Sequence, residues 1–205
     1  IVVDPRYTRP AEQADIWCPI RSGTDIAFYG GMYNYIIEHL IEPNLAKYQE
    51  TGDMSEYNFE YLLNYTNASY ILDPDYKFDP ETGLFSGWNE KTKTYNAHSW
   101  HYETESTEDW DTSENGAYAW VKKPGTPEFT TPTLTNPKKD MTLQDPMCVY
   151  QQFKKHYSRY TLDTVCGICG MDKGVLELVY KTYTSTAKPG KAGTCLLYTS
   201  DAADE

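Results

Sequence analysis

Residues 1–10, IVVDPRYTRP, govern how the rest of the chain is read: the apolar β-formers Ile1, Val2 and Val3 run straight into Asp4, Pro5 and Arg6. A short continuous apolar run ended by charge and proline is the pattern of a buried strand in a parallel sheet, where both faces are covered and no alternation is needed. The spacing predicts such a strand over residues 1–4. A second apolar run, Ala14 to Ile20, is interrupted by Asp15 and closed by Pro19, with a short charged connection between the two. Ser22 followed by Asp25 reads as a capping box at a helix start. Ile26, Tyr29, Tyr33, Ile36, Ile37 and Leu40 then recur at helical spacing, and Pro43 marks the stop. Strand, connection, strand and covering helix predict an α/β open sheet.

The composition is consistent with one folded unit. The chain has 205 residues, about one domain at roughly 100 to 200 residues each. Its mean hydropathy is -0.67, and no run approaches the roughly 18 apolar residues a membrane span needs. The stretch therefore reads as having no direct membrane span and no signal peptide, although a chain that starts inside a strand without Met leaves room for an upstream segment. Acids outnumber Lys plus Arg 30 to 18, a net charge of -12, which argues against a nucleic-acid partner because phosphate contacts need a basic footprint. An anionic ligand would have to find local arginines. The 19 tyrosines and five tryptophans suit a piece of a large folded protein better than a disordered tail.

Further along, the pattern loosens and then recovers. From residue 50 to about 140 helical periodicity fades and Gly, Pro, Asn and Asp punctuate short aromatic runs, so an insertion of loops and hairpins is expected. AHSWHYETE and GAYAWVKK alternate with period two, and ENG supplies turn chemistry that could join them. Trp100, Trp110 and Trp120 are evenly spaced, which we read as chance rather than a repeat. Asp145-Pro146 reads as an N-cap and first helical position, followed by the stripe Met147, Tyr150, Phe153 and Tyr157. A last helix is expected from about Asp172, with Val175, Leu176, Val179 and Tyr183 on one face, before KPGKAGT turns the chain. Residues 195–205, CLLYTSDAADE, continue none of these patterns and resemble a translated sequencing adapter, so they are expected to be a non-native tail. Without its Asp201, Asp204 and Glu205 the acids fall from 30 to 27 and the net charge from -12 to -9.

The chemistry concentrates at two places. In open parallel sheets ligands sit beyond the carboxyl ends of strands, where Asp4 would stand, ready to accept hydrogen bonds from a ribose or a guanine edge. Arg6 could meet a phosphate. The turn RSGTD brings Arg21, Gly23, Thr24, Asp25 and the N-H groups of a helix start into an anion-binding corner. Each stretch also has a plain reading, a strand-ending turn and a helix cap. Cys166-Gly-Ile-Cys169 has the spacing of a redox pair or half a zinc site, but no second pair exists and His39, His98, His101 and His156 do not group with it. His156 suits a helix C-terminus, ETESTEDWDTSE a solvated face, and TNAS matches a glycosylation sequon too common to decide anything. No Ser-His-Asp arrangement, P-loop or complete GxGxxG is present.

Taken in order, VVDPRYTR, PIRSGTDIAF, NYTNASYIL, GLFSGW, DMTLQDPMCVYQQFKKHYSRYT and ICG resemble the large subunit of respiratory formate dehydrogenases, in the molybdopterin oxidoreductase family. The resemblance covers nearly all of residues 1–194. It implies a partial Rossmann-like αβα domain over residues 1–194, with the insertion at about 50–140, that grips one guanine-dinucleotide arm of bis-molybdopterin guanine dinucleotide (molybdenum or tungsten). Matched to the family's motifs, Asp4, Pro5 and Arg6 form the strand-end motif and Gly23, Thr24 and Asp25 the second, with Arg21 a neighbour. The resemblance implies oxidation of formate to carbon dioxide, a 4Fe-4S cluster and metal ligand on upstream sequence, an iron-sulfur beta subunit, a membrane cytochrome subunit and a periplasmic location. No catalytic or metal-ligating residue is expected among residues 1–194. Two other readings remain: a family member acting on a different small oxyanion, and a non-enzymatic binding module built on the aromatic insertion.

Overall fold

The computed structural model describes residues 1–72, 88–89, 94–95, 103, 117–119, 133–135 and 137–194. His98, His101, Trp100, Trp110, Trp120, nearly all of AHSWHYETE and the 195–205 tail lie outside them. The chain forms two compact units, Ile1–Phe59 with Tyr160–Glu205, and Glu60–Arg159.

In chain order the elements are β1 (Val2–Val3), α1 (Arg9–Glu12), β2 (Trp17–Cys18), α2 (Asp25–Ile36), a π-helical turn (Ile37–Ile41), α3 (Glu42–Thr51) and α4 (Phe59–Asn64). Then come β3 (Trp88–Asn89), β4 (Thr94–Tyr95), β5 (Ala117–Ala119), β6 (Thr133–Thr135), α5 (Val149–Tyr157), α6 (Leu162–Cys169) and α7 (Lys173–Thr184). No helix among the described residues is long and apolar enough to cross a membrane.

In the first unit β1 and β2 pair in parallel, Val2 opposite Trp17 and Val3 opposite Cys18. The strands are shorter than the apolar runs, and β1 is less covered than a buried strand should be, with Val3 36% and Ile1 45% exposed. The core explains this. It gathers behind β2, joining Cys18 and Ile20 to Ala27, Phe28 and Met32 of α2, Val165 and Cys169 of α6, and Leu176, Val179 and Tyr180 of α7.

The buried face of α2 is not the stripe that periodicity selects. Ile26 is 78% and Tyr33 41% exposed, while Ala27, Phe28, Gly30, Gly31 and Met32 are buried. Close approach is the reason: a Cβ on Gly31 would stand 2.5 Å from the Tyr180 hydroxyl and 2.6 Å from Val165, and one on Gly30 would stand 2.9 Å from the Tyr160 ring. Hydrophobic patterning weighs bulk, so a contact surface made of bare backbone is invisible to it. Pro43 does not end the helical path either. The Glu42 N-H reaches back five residues to the Ile37 carbonyl, and this wider turn lets Pro43, which cannot donate, sit in the first turn of α3.

The end of this unit follows the sequence closely. Asp172 caps α7 by accepting from the N-H groups of Gly174 (2.8 Å) and Val175 (3.2 Å). Leu176, Val179 and Tyr180 of α7 are buried.

In the second unit, β3 pairs antiparallel with β4 and β5 with β6. The alternating run through Ala117–Ala119 thus finds its partner at Thr133–Thr135, not in the earlier run that ENG was expected to join to it. Helix α5 starts at Val149, later than Pro146. Backbone accounting gives the reason: the Val149 and Tyr150 N-H groups donate to the carbonyls of Tyr70 (2.9 Å) and Ala68 (3.0 Å), so the first turn is satisfied from elsewhere in the unit. Asp145 instead closes a turn by accepting from the Met147 N-H at 2.8 Å. Ser69 of the TNAS sequon is buried and its hydroxyl donates to the Leu63 carbonyl at 3.1 Å, leaving that motif a structural role.

Candidate functional site

The parallel register brings both sequence motifs to one edge. Because β1 and β2 run the same way, Asp4 and the residues after Cys18 leave from the same carboxyl end, and the Asp4 N-H still donates to the Cys18 carbonyl at 3.2 Å. At the tip of β1, one Asp4 carboxylate oxygen accepts from the Arg6 N-H at 2.7 Å. The Trp17 indole N-H donates to the Asp4 carbonyl at 3.2 Å, and Tyr7 packs edge-on against Trp17 with centroids 5.1 Å apart. Trp17 therefore holds the turn in place, a residue the sequence reading missed. One internal hydrogen bond leaves the carboxylate most of its acceptor capacity.

The second motif differs in detail from the predicted cap. Thr24, not Ser22, precedes α2, and its hydroxyl donates to the Arg21 carbonyl at 2.7 Å rather than capping the helix. No side chain caps the first turn of α2. Its N-H groups have no partner from within the helix, and the macrodipole adds partial positive charge there. Gly23, at φ 77°, takes the turn in a conformation that other side chains rarely adopt, with nothing within 4 Å of where a Cβ would stand. Asp25 begins the helix and is exposed. The corner thus offers donors, and the tip of β1 offers an acceptor.

Arg21 points elsewhere. Its guanidinium donates to the carbonyls of Gly167 (3.1 Å) and Ile168 (3.3 Å), and its backbone N-H to that of Cys169 (2.9 Å). These carbonyls end α6, where helical partners run out and positive charge is favoured.

The cysteines show no sign of reactivity. Burial first, and then neighbouring Cys169 and Cys166, push the Cys18 thiol up to about 12; burial also pushes Cys166 and Cys169 up. Cys166 and Cys169 lie toward the C-terminal end of α6, opposite to the helix start that favours thiolates. Among the described residues no three His, Cys, Asp or Glu side chains form a group that could hold a metal. Burial, then the Arg159 charge, pulls His156 below its usual value. The role at the end of α5 passes to Arg159, whose Nε donates to the His156 carbonyl at 2.9 Å.

No family model matches the chain. Over 96% of its length it is 39% identical to the formate dehydrogenase subunit alpha of Megalodesulfovibrio gigas. Over the same share it is 38% identical to the nitrate-inducible formate dehydrogenase major subunit of Escherichia coli (strain K12). A stretch of 37 residues, 18% of the chain and 5% of the relative, is 62% identical to the acetylene hydratase of Syntrophotalea acetylenica. The chain spans about 15% of the length of the two formate dehydrogenase relatives. Matching such proteins along nearly all of its own length, it belongs to the formate dehydrogenase large subunits, in the molybdopterin oxidoreductase family, as a segment of one.

Proposed function

We propose that this segment holds a guanosine portion of bis-molybdopterin guanine dinucleotide within a longer formate dehydrogenase that oxidises formate to carbon dioxide. The single observation that supports it most is the parallel pairing of Val2 with Trp17 and Val3 with Cys18, which sends Asp4 and the Gly23–Asp25 corner out of the same edge. A guanosine diphosphate arm needs acceptors for its base and sugar and donors for its phosphates. Asp4 would supply the acceptor, and Gly23, Thr24 and the uncapped first turn of α2 the backbone donors. Pro5 and Arg6 would frame the strand end. Asp25 accepts from a base or sugar hydroxyl in this reading, since a carboxylate donates nothing.

The cofactor, when bound, supplies molybdenum- or tungsten-centred redox chemistry, while this chain's residues bind and orient its nucleotide end. The parallel pair backed by α2 is one part of a Rossmann-like αβα domain. The metal ligand and the 4Fe-4S cluster belong to other parts of the longer chain, electrons leave through an iron-sulfur beta subunit and a membrane cytochrome subunit, and the complex works in the periplasm.

The test is to replace Asp4 by Asn and Arg6 by Ala in the full-length parent and measure guanine nucleotide released on denaturation per folded protein. The reading expects a loss in both variants; full content in both overturns it. A second reading keeps the nucleotide grip but changes the reaction, and the local match to a hydratase favours considering it. Assaying the parent with formate and with other small oxyanions separates the two.

A further inference from the structure

We infer that Arg21 is a positioning residue, a tether that locks the Gly23–Thr24–Asp25 corner to the C-terminal end of α6 and so keeps the first turn of α2 open toward the nucleotide. The inference rests on the nucleotide reading above and assigns Arg21 a place in it different from that of a phosphate ligand.

The tether is built from both sides. From the corner, Arg21 gives its backbone N-H to the Cys169 carbonyl at 2.9 Å and its guanidinium to the carbonyls of Gly167 and Ile168 at 3.1 and 3.3 Å. From α6, the Cys169 thiol donates back to the Thr24 carbonyl at 3.7 Å. The corner also closes on itself, with both the Thr24 hydroxyl (2.7 Å) and the Thr24 N-H (3.3 Å) donating to the Arg21 carbonyl. That last pair turns the hydroxyl away from α2, the reason its first turn stays uncapped.

Gly170 makes room for the arrangement. It ends α6 at φ 70°, and a Cβ there would stand 2.8 Å from the Arg21 Nε and 3.2 Å from its Cζ. Two demands meet at this glycine: a left-handed backbone and space for a guanidinium. The Arg21 charge lies at the negative end of the α6 dipole, where a cation is held without any anionic ligand. Arginine suits the task because its planar fork reaches two carbonyls at once, which a lysine ammonium on a flexible stem does poorly.

The test uses the full-length parent carrying Arg21→Lys, Arg21→Gln, Gly170→Ala or the Arg21→Gln/Gly170→Ala pair, with Asp4→Asn as the control on the nucleotide reading. Guanine nucleotide dissociation is followed from folded protein, isolated by gel filtration with unchanged far-ultraviolet dichroism, across a range of salt. The tether expects dissociation about tenfold faster in Arg21→Lys, Arg21→Gln and Gly170→Ala alike, from the loss of charge-assisted hydrogen bonds. It expects the double variant to be no worse than Arg21→Gln, because both changes break one device. It also expects the salt dependence to match the parent.

A different pattern would mark Arg21 as a phosphate ligand and overturn the inference: Gly170→Ala without effect, Arg21→Lys near normal, and a shallower salt dependence in Arg21→Gln. Should Gly170→Ala fail to fold, the Arg21→Lys result and the salt dependence decide alone. A slow, parent-like dissociation in Arg21→Gln beside a fast one in Asp4→Asn defeats the tether and spares the nucleotide reading. Unchanged nucleotide in every variant, Asp4→Asn included, defeats that reading itself.

Discussion

Each unit contains a tight turn with a left-handed residue, and the two put their backbone donors to opposite uses. In the first unit Gly23, at φ 77°, has empty space where a side chain would be, and no side chain caps the helix it introduces. In the second unit the left-handed residue is Leu143, at φ 58° and fully buried. Around it the Asp140 carboxylate collects the N-H groups of Thr142 (2.8 Å), Gln144 (2.7 Å) and Asp145 (2.7 Å) and the Thr142 hydroxyl (2.6 Å). An internal carboxylate occupies the position a bound anion would take. The lesson is that a turn rich in donors becomes a binding site only where the fold does not fill it: the 140–145 turn is closed, while the 21–25 corner is braced from behind and left open in front.

The comparison can be broken, and the largest effect should come from the closed turn. Leu143→Ala removes a fully buried side chain without relieving the left-handed backbone. It should lower the local stability of residues 140–150 by about 3 kcal/mol, read as faster hydrogen exchange in the parent, with nucleotide content unaffected in folded protein. Nucleotide loss equal to that of Asp4→Asn would show that the closed turn serves the site after all.

Next in size is Asp140→Asn. Burial pushes the Asp140 carboxyl up, but hydrogen bonds from the Thr142 side chain and from the N-H groups of Asp145, Thr142 and Gln144 outweigh it, and the net displacement is downward from 3.8. Folded protein thus binds this proton less readily than unfolded protein does. The stabilisation is complete above the unfolded value near 3.8 and is lost as pH falls through the lower folded value. Asparagine should cost about 2 kcal/mol near neutrality and flatten the loss of local protection below pH about 4. A variant whose acid profile matches the parent would remove the carboxylate from this account.

Gly23→Ala sharpens the other half. With no atom within 4 Å of the new Cβ, the cost is backbone strain alone, about 1 kcal/mol, while nucleotide retention should fall by more than this stability change implies. Equal losses in both would mean the corner is only a turn. The smallest effect is expected of Trp17→Phe, which keeps the ring against Tyr7 but loses the donor to the Asp4 carbonyl. Exchange at residues 4–6 should quicken by about 1 kcal/mol in local opening energy; no change would leave the β1 tip without its support.

Some of the molecule could be read directly from the chain. The parallel relation of the first two strands, the helix after the RSGTD turn and the Asp172 cap are all local signals, and all are present. The misread features share a cause. The buried face of α2 is made by Gly30 and Gly31, which carry no hydrophobic signal, and the start of α5 is set by carbonyls about 80 residues earlier (Val149 to Tyr70, Tyr150 to Ala68). At the candidate site, Asp4 and the Gly23–Asp25 corner were legible as motifs. The parts played by Trp17, Cys169 and Gly170 were not, although ICG already stood among the motifs that carried the resemblance.

The sequence by itself determined which residues could meet an anion or a nucleotide, because cap chemistry, apolar runs and glycine turns act over a few neighbouring residues. Only the tertiary structure decided what Arg21 does, since its guanidinium partners lie 146 and 147 residues away. A charged side chain at a promising corner reads the same whether it faces a ligand or a helix end. The difference is which carbonyls the folded chain brings within hydrogen-bond reach.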